Sequence, residues 1–416
     1  MKLLWLCNVA PSIICEKITG KPGSGGLWLD HVLQDLRQRD ITVCVLCPGN
    51  GETGVIDERC NYVSFREGLP YRYLPELETL FQKVLSDVQP DVVHIWGTEY
   101  GHTLAMVNAC EVLHCLDRVV VSIQGLCSVI ARHYTEGLPR CVQKRYTFRD
   151  LIRQDNILQQ QKKFALRGKL EVKALQKVLH VIGRTDWDEA CVKQINPQVT
   201  YHFCNETLRE TFYQGQWSYD RCKKHRIFAS SCSYPVKGFH YLLEAFAEVR
   251  KVYPNAILSV PGESPLTHNG IKNKLRESAY TRYLAKLIRK YRLEDKVEFL
   301  GSLSAEQMKQ AYLDANVFVL PSTVENSPNS LGEAMLLGTP CVAADVGGVA
   351  GMLEHKKEGF VYQSTAPYML AHYIMKVFAQ KDQIEALTQQ ARTHGQETHN
   401  SQVNIETLLK IYEKRT

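Results

Sequence analysis

The sequence has no run of about 18 apolar residues, the length a membrane-spanning helix requires, so no spanning segment is expected. It has no cysteine framework either. Fourteen cysteines are scattered along 416 residues, and the close pair Cys44 and Cys47 lies in ITVCVLCPGN. That stretch reads as an extended strand, whose residues three apart point to opposite faces. A structural zinc site needs paired clusters and is not expected; unpaired cysteines suit a reducing cytoplasm. A large charge of one sign is also missing. The net charge of +6 and pI near 8.5 are compatible with anionic substrates or an acidic membrane surface, and too weak to argue for nucleic acid. There is no low-complexity tract and no short internal repeat. The N-terminal MKLLWLCNVAPSIIC has the lysine and apolar run of a signal peptide. No clean small-residue cleavage site follows, however, and the run leads into the Gly-rich GKPGSGG. It is read as a buried first strand.

What is present is alternation. KLLWLCNV, ITVCVLC, DVVHIWG, RVVVSIQG and VLHVIGR are near-continuous Val/Ile/Leu runs, as parallel strands buried on both faces require. Helical stretches such as LWLDHVLQDLRQRD and LPELETLFQKVLSDVQ separate them. The pattern restarts near Lys224 with HRIFASSC, AILSVPG, KVEFLGS, VFVLPS and PCVAAD. The expected fold class is α/β with two doubly wound Rossmann-like domains facing across a cleft. The expected boundaries are 1–220, 221–381 and a helical tail, 382–416, packing back on the N-terminal domain.

Residues 140–173 carry ten Lys/Arg against three Asp/Glu, interleaved with Phe148, Leu151, Ile152, Leu158, Phe164 and Leu166. Such a segment is either a solvated helical face or a surface for an anionic membrane or acceptor.

STVENSPNSLGEAMLLGTPCVAADVGG, residues 322–348, places Glu325 and Glu333 around a strand-to-helix loop at the carboxyl end of a sheet. A helix N-terminus there offers unpaired N–H groups and the positive dipole end, a ready phosphate site. Ser330 and Glu333 also fit a capping box, which would explain Glu333 without a ligand. Glu325 has no such explanation and could receive hydroxyls. Lys237, between a strand and a helix in SSCSYPVKGFHYLLEAF, is either a solvated loop lysine or a point charge for a diphosphate. Together these groups describe a nucleotide-sugar site.

Glu325 and Glu333 with seven residues between them, KGFHYLLEAF and GTPCVAADVGGVAGML resemble the family-four retaining glycosyltransferases of GT-B fold. The resemblance is strong over 225–365 and looser in the N-terminal half. It implies that Glu325 contacts the donor sugar as the catalytic carboxylate and that Glu333 binds the nucleotide ribose. The backbone at Asn329, Ser330 and Leu331, with Lys237, would hold the diphosphate, and Gly25 and Gly26 would form the N-terminal loop near the donor phosphates. No metal and no cofactor are implied. Asp186 and Asp188 of DWD mimic a metal pair but open a helix, where aspartate is favoured.

Two positions depart from the family pattern. Cys232 stands where the family often has an arginine, which makes Arg184 a candidate substitute for the phosphate. Gln124 stands where many members have a histidine facing the donor sugar. His94 and His102 read as structural. The implied function is transfer of a sugar, with retained configuration, from a UDP- or GDP-sugar to a glycan or lipid-linked acceptor in cell-surface polysaccharide or glycolipid synthesis. The place implied is the cytoplasm, with peripheral contact at the inner membrane face as one reading of the basic segment. The alternatives are another GT-B enzyme, an epimerase or sugar phosphorylase, or a non-catalytic nucleotide-sugar binder.

Overall fold

Alternate residues of the first strand, β1 (Lys2–Cys7), enter opposite cores. Leu4 and Leu6 pack in one apolar cluster, and Leu3, Trp5 and Cys7 in another. The N-terminal apolar run is therefore a central strand covered on both faces, as a parallel sheet demands. Cys44 and Cys47 divide between the same two clusters, and the fourteen cysteines form no disulfide.

This is a computed structural model; it describes residues 1–21, 23, 27–266 and 277–415. The chain forms two units. The first comprises residues 1–131, 163–209 and 399–416, and the second 132–162 and 210–398.

The sheet of the first unit adds β2 (Thr42–Pro48), β3 (Thr53–Asp57), β4 (Cys60–Phe65), β5 (Val92–Trp96), β6 (Val119–Ser122), β7 (His180–Gly183) and β8 (Thr200–Phe203) to β1. The order is β3-β4-β2-β1-β5-β6-β7-β8. Lys2 pairs with Thr42 and Leu3 with Val92, both in parallel register, and β3 alone runs antiparallel, against β4. The order reverses between β1 and β5, so the topological switch point lies at their carboxyl ends.

The second unit carries β9 (Arg226–Phe228), β10 (Ile257–Val260), β11 (Val297–Phe299), β12 (Val317–Leu320), β13 (Cys341–Asp345) and β14 (Phe360–Gln363). All pairings are parallel, in the order β11-β10-β9-β12-β13-β14. Its switch point lies between β9 and β12.

The segments expected as single pieces divide between the units. Residues 132–162 go with the second unit, where buried Asp150 accepts the Ala279 amide at 2.9 Å. The tail breaks at Asn400, which caps the helix Ser401–Glu413. The preceding helix, Lys381–Thr398, belongs to the second unit, and residues 399–416 to the first.

Candidate functional site

Two loops leave the switch point of the second sheet, and the chain joins them at several points. The loop after β9 ends in one 3-10 turn, Pro235–Lys237; the loop after β12 runs from Pro321 to Pro328. The Thr323 amide donates to the Val236 carbonyl at 2.8 Å. Gly238 has φ +64° and lies so close that a Cβ there would sit 1.8 Å from the Pro321 carbonyl oxygen. Gly347, with φ +55°, would place a Cβ 1.7 Å from the Glu325 carbonyl oxygen. Only glycine fits such a backbone approach.

Held this way, Lys237 and Glu325 meet. Lys237 Nζ donates to Glu325 Oε1 at 2.6 Å, and Ser322 Oγ donates to the same oxygen at 2.7 Å. Both side chains are largely out of solvent. Burial works against the ammonium, but the Glu325 carboxylate more than offsets it, and the lysine pKa stands above its ordinary value. The lysine therefore stays charged, and of its three N–H donors one goes to Glu325 and another is shared with the Tyr234 hydroxyl. Neither of these two bonds uses Glu325 Oε2. Ser322 was not anticipated; a hydroxyl one residue past the proline that opens the loop after β12 carries no signal of its own.

The helix Asn329–Leu337 begins just after Pro328, which occupies the N-cap position, and no side chain caps it. The capping box that sequence allowed for Ser330 and Glu333 does not form, because the helix starts earlier and places Glu333 in its second turn. Glu333 is buried there, beside the Tyr312 hydroxyl, which lies 3.5 Å from Oε2 and donates to the Ser330 carbonyl at 3.0 Å. The Leu331 amide turns back on the Pro328 carbonyl at 2.9 Å. The amides of Asn329 and Ser330 thus mark the N-terminal end of this helix. Cys232 is partly buried with Sγ 3.5 Å from the Pro261 carbonyl, and burial pushes its thiol up to about 11. It stands there as a neutral group.

In the first unit the structure joins the two other predicted residues through one that was missed. Glu206 accepts from Gln124 Nε2 and from Arg184 Nη1, the latter at 2.7 Å. Glu206 lies just beyond β8, so its position at the carboxyl edge depends on a strand the sequence did not reveal. Arg184 and Glu206 line a narrow cavity with Trp96, Ile182, Ile405 and Leu408. At the switch point of this sheet, Asn8 Nδ2 donates to Glu99 Oε2 at 2.8 Å.

His94 and His102 are buried structural groups. His94 bonds Tyr412 at 2.5 Å and Ser122 at 2.7 Å, His102 bonds Asn8 at 2.8 Å, and burial lowers both to about 3. Asp188 closes a capping box with Thr185 at the start of the helix Asp186–Ile195. Gly25 and Gly26 lie outside the described residues.

The family model described as "Glycosyl transferases group 1" matches residues 221–394. "Putative colanic acid biosynthesis glycosyltransferase WcaL" of Escherichia coli K12 is 32% identical over 183 residues, 42% of this chain and 41% of that protein. The chain thus spans about two fifths of the length of the curated relatives it matches. Among solved structures, sucrose-phosphate synthase from Thermosynechococcus elongatus superposes with a TM-score of 0.72 at 16% identity, covering 100% of this chain and 99% of that one. Anabaena Alr3699/HepE in complex with UDP-glucose gives 0.69 at 18% identity, covering 99% and 100%. The fold is that of the GT-B glycosyltransferases.

Proposed function

From a chain with this fold, whose residues 221–394 match a glycosyltransferase family, we propose a retaining glycosyltransferase. It moves a sugar from a nucleotide-sugar donor to a glycan or lipid-linked acceptor in polysaccharide or glycolipid synthesis. The second unit holds the donor and the first the acceptor. The observation that carries this reading is the Lys237–Glu325 pair at the switch point of the second sheet, where open α/β sheets bind ligands. Two further features support it: a similar fold binds UDP-glucose, and a relative is named for colanic acid biosynthesis. We take UDP as the first nucleotide to test, with GDP as the alternative. Cysteines without a disulfide fit a reducing compartment, and we place the activity in the cytoplasm.

In this reading Lys237 and the amides of Asn329 and Ser330 neutralise the diphosphate, so the protein supplies its own charge without a metal. The acceptor oxygen attacks the anomeric carbon from the side the diphosphate leaves, and the acceptor proton passes to a departing phosphate oxygen. The sugar gains positive charge as the bond to phosphate lengthens. The fixed carboxylate of Glu325, already oriented by Lys237 and Ser322, stabilises that charge. Glu333 receives ribose hydroxyls.

Calorimetry with UDP, GDP and ADP, without metal and then with magnesium, tests the reading. One diphosphate is expected to bind without metal. Glu325→Ala should abolish turnover and leave that affinity within about threefold. Glu333→Ala should weaken it roughly 10- to 150-fold, the loss of about 1.5–3 kcal/mol expected for a charged hydrogen bond. No binding of any diphosphate, or equal affinity and activity in both variants, would sink the assignment.

A further inference from the structure

A short helix in the second unit is turned inside out. In Phe148–Arg153 the buried side is polar. Asp150 is fully buried, closes a capping box with Thr147, and accepts the Ala279 amide at 2.9 Å. Arg149 is folded in as well, bonded to Asp150 at 3.0 Å and Asp155 at 3.2 Å. The outward side is apolar: Tyr146 is 47% exposed, Phe148 57%, Leu151 61% and Ile152 68%. A water-soluble surface helix normally does the reverse, and an exposed apolar cluster of this kind marks an interaction site. The cap and the Asp150–Ala279 bond fix the orientation, since turning the apolar side inward would break both and leave the Ala279 amide without its acceptor.

The charges that residues 140–153 themselves expose have one sign. Arg140, Lys144, Arg145 and Arg153 are exposed, and the only acid between 140 and 154 is the buried Asp150. The second half of the basic segment is different. Leu158, Phe164 and Leu166 are partly buried on the helix Ile157–Leu175, so the outward apolar groups are confined to 146–152.

We propose that the face formed by residues 140–153 docks on an anionic lipid surface. Phe148, Leu151 and Ile152 enter the boundary between headgroups and acyl chains, and Arg140, Lys144, Arg145 and Arg153 lie against the lipid phosphates. A second copy of the chain meeting this face with the same face would bring like charges together. A lipid layer accepts protruding apolar side chains with no groove shaped for them. The inference stands on this face alone and does not depend on the donor site. If both readings hold, the face brings a lipid-linked acceptor to the enzyme.

Flotation of the full chain with vesicles tests it, using phosphatidylcholine alone and phosphatidylcholine mixed equally with phosphatidylglycerol. The chain is expected to float with the mixed vesicles at low salt and to be released at high salt. Phe148→Ser/Leu151→Ser/Ile152→Ser should lower the bound fraction at least about tenfold at low salt, where the parent chain floats. Arg140→Glu/Lys144→Glu/Arg145→Glu should do the same and remove the salt dependence. The two variants alter exposed groups of different chemistry, and unchanged thermal melting of either one is enough for the comparison. No flotation of the parent chain, or equal flotation of parent and well-folded variants, overturns the proposal. So does sedimentation showing self-association that the apolar variant abolishes while vesicle binding persists.

Discussion

Glu99 carries the least comfortable charge in the first unit. It stands at the switch point between β1 and β5, and burial first, then the neighbouring Glu171 carboxylate, raises its carboxyl from 4.5 to about 7 despite bonds from Asn8 and the nearby Arg167. Glu171 is itself raised by burial, yet it is well satisfied, accepting from Thr98, from the Cys127 and Ser128 amides and from Ser128 Oγ. The sign for Glu99 follows from proton counting. Between pH 4.5 and about 7 the folded chain keeps a proton that the unfolded chain has lost, so stability falls as pH rises through that window. Glu99→Gln, which retains an acceptor for Asn8, should leave the urea midpoint near pH 5 unchanged and raise it near pH 8. If the variant and the parent keep the same pH slope, Glu99 is ionised in the fold throughout, and its placement as a protonated group fails.

The loops at the second switch point depend on a few close approaches along the chain. Gly347→Ala would push a Cβ onto the Glu325 carbonyl and force a residue with a side chain to hold φ +55°. It should cost at least about 1–3 kcal/mol of stability and, by moving Glu325, reduce turnover more than diphosphate affinity. Gly351→Ala is the control, since a Cβ there meets nothing within 4 Å; urea unfolding and calorimetry on both variants separate strain from a general effect of the loop. This is also the scale at which the sequence was readable, and where it stopped being so. Strands β1, β2, β5, β6, β7 and β9–β13 were legible because strands buried on both faces leave unbroken apolar runs. Strands β3, β4, β8 and β14 were not: TGVID is solvent-facing, and TYHF and FVYQ mix polar with apolar positions. Glu325, Lys237 and the loop before Asn329 could be picked out by residue type and position. Their meeting could not, because the Thr323–Val236 bond joins residues far apart in sequence. The basic segment showed its amphipathic pattern, but which side was buried depended on Asp150 finding the Ala279 amide.

At the scale of the whole chain, each unit is assembled from separated segments, with passages at 131/132, 162/163, 209/210 and 398/399. No helix among the described residues is long and apolar enough to cross a membrane. The last segment matters most for the first unit. The helix Ser401–Glu413 places Ile405, Leu408, Ile411 and Tyr412 in the cluster built on Leu3, Trp5 and Val45, and the Tyr412 hydroxyl lies 2.5 Å from His94 Nδ1. Burying each aliphatic side chain contributes about 1.5–3 kcal/mol, so the three together rival the total stability of an ordinary domain, about 5–15 kcal/mol. Deleting residues 399–416 should therefore abolish cooperative unfolding of the first unit, read by the fluorescence of the buried Trp5 and Trp96. The second unit keeps every segment of its own sheet and the Lys237–Glu325 pair. Diphosphate binding by that pair should therefore survive the deletion, although transfer should not. Tyr412→Phe gives the milder form of the same test, with a loss of about 1–3 kcal/mol as buried His94 Nδ1 is left without its hydroxyl. A deleted chain whose tryptophans stay shielded through the parent's urea range would show that the final helix covers the first unit without supporting it.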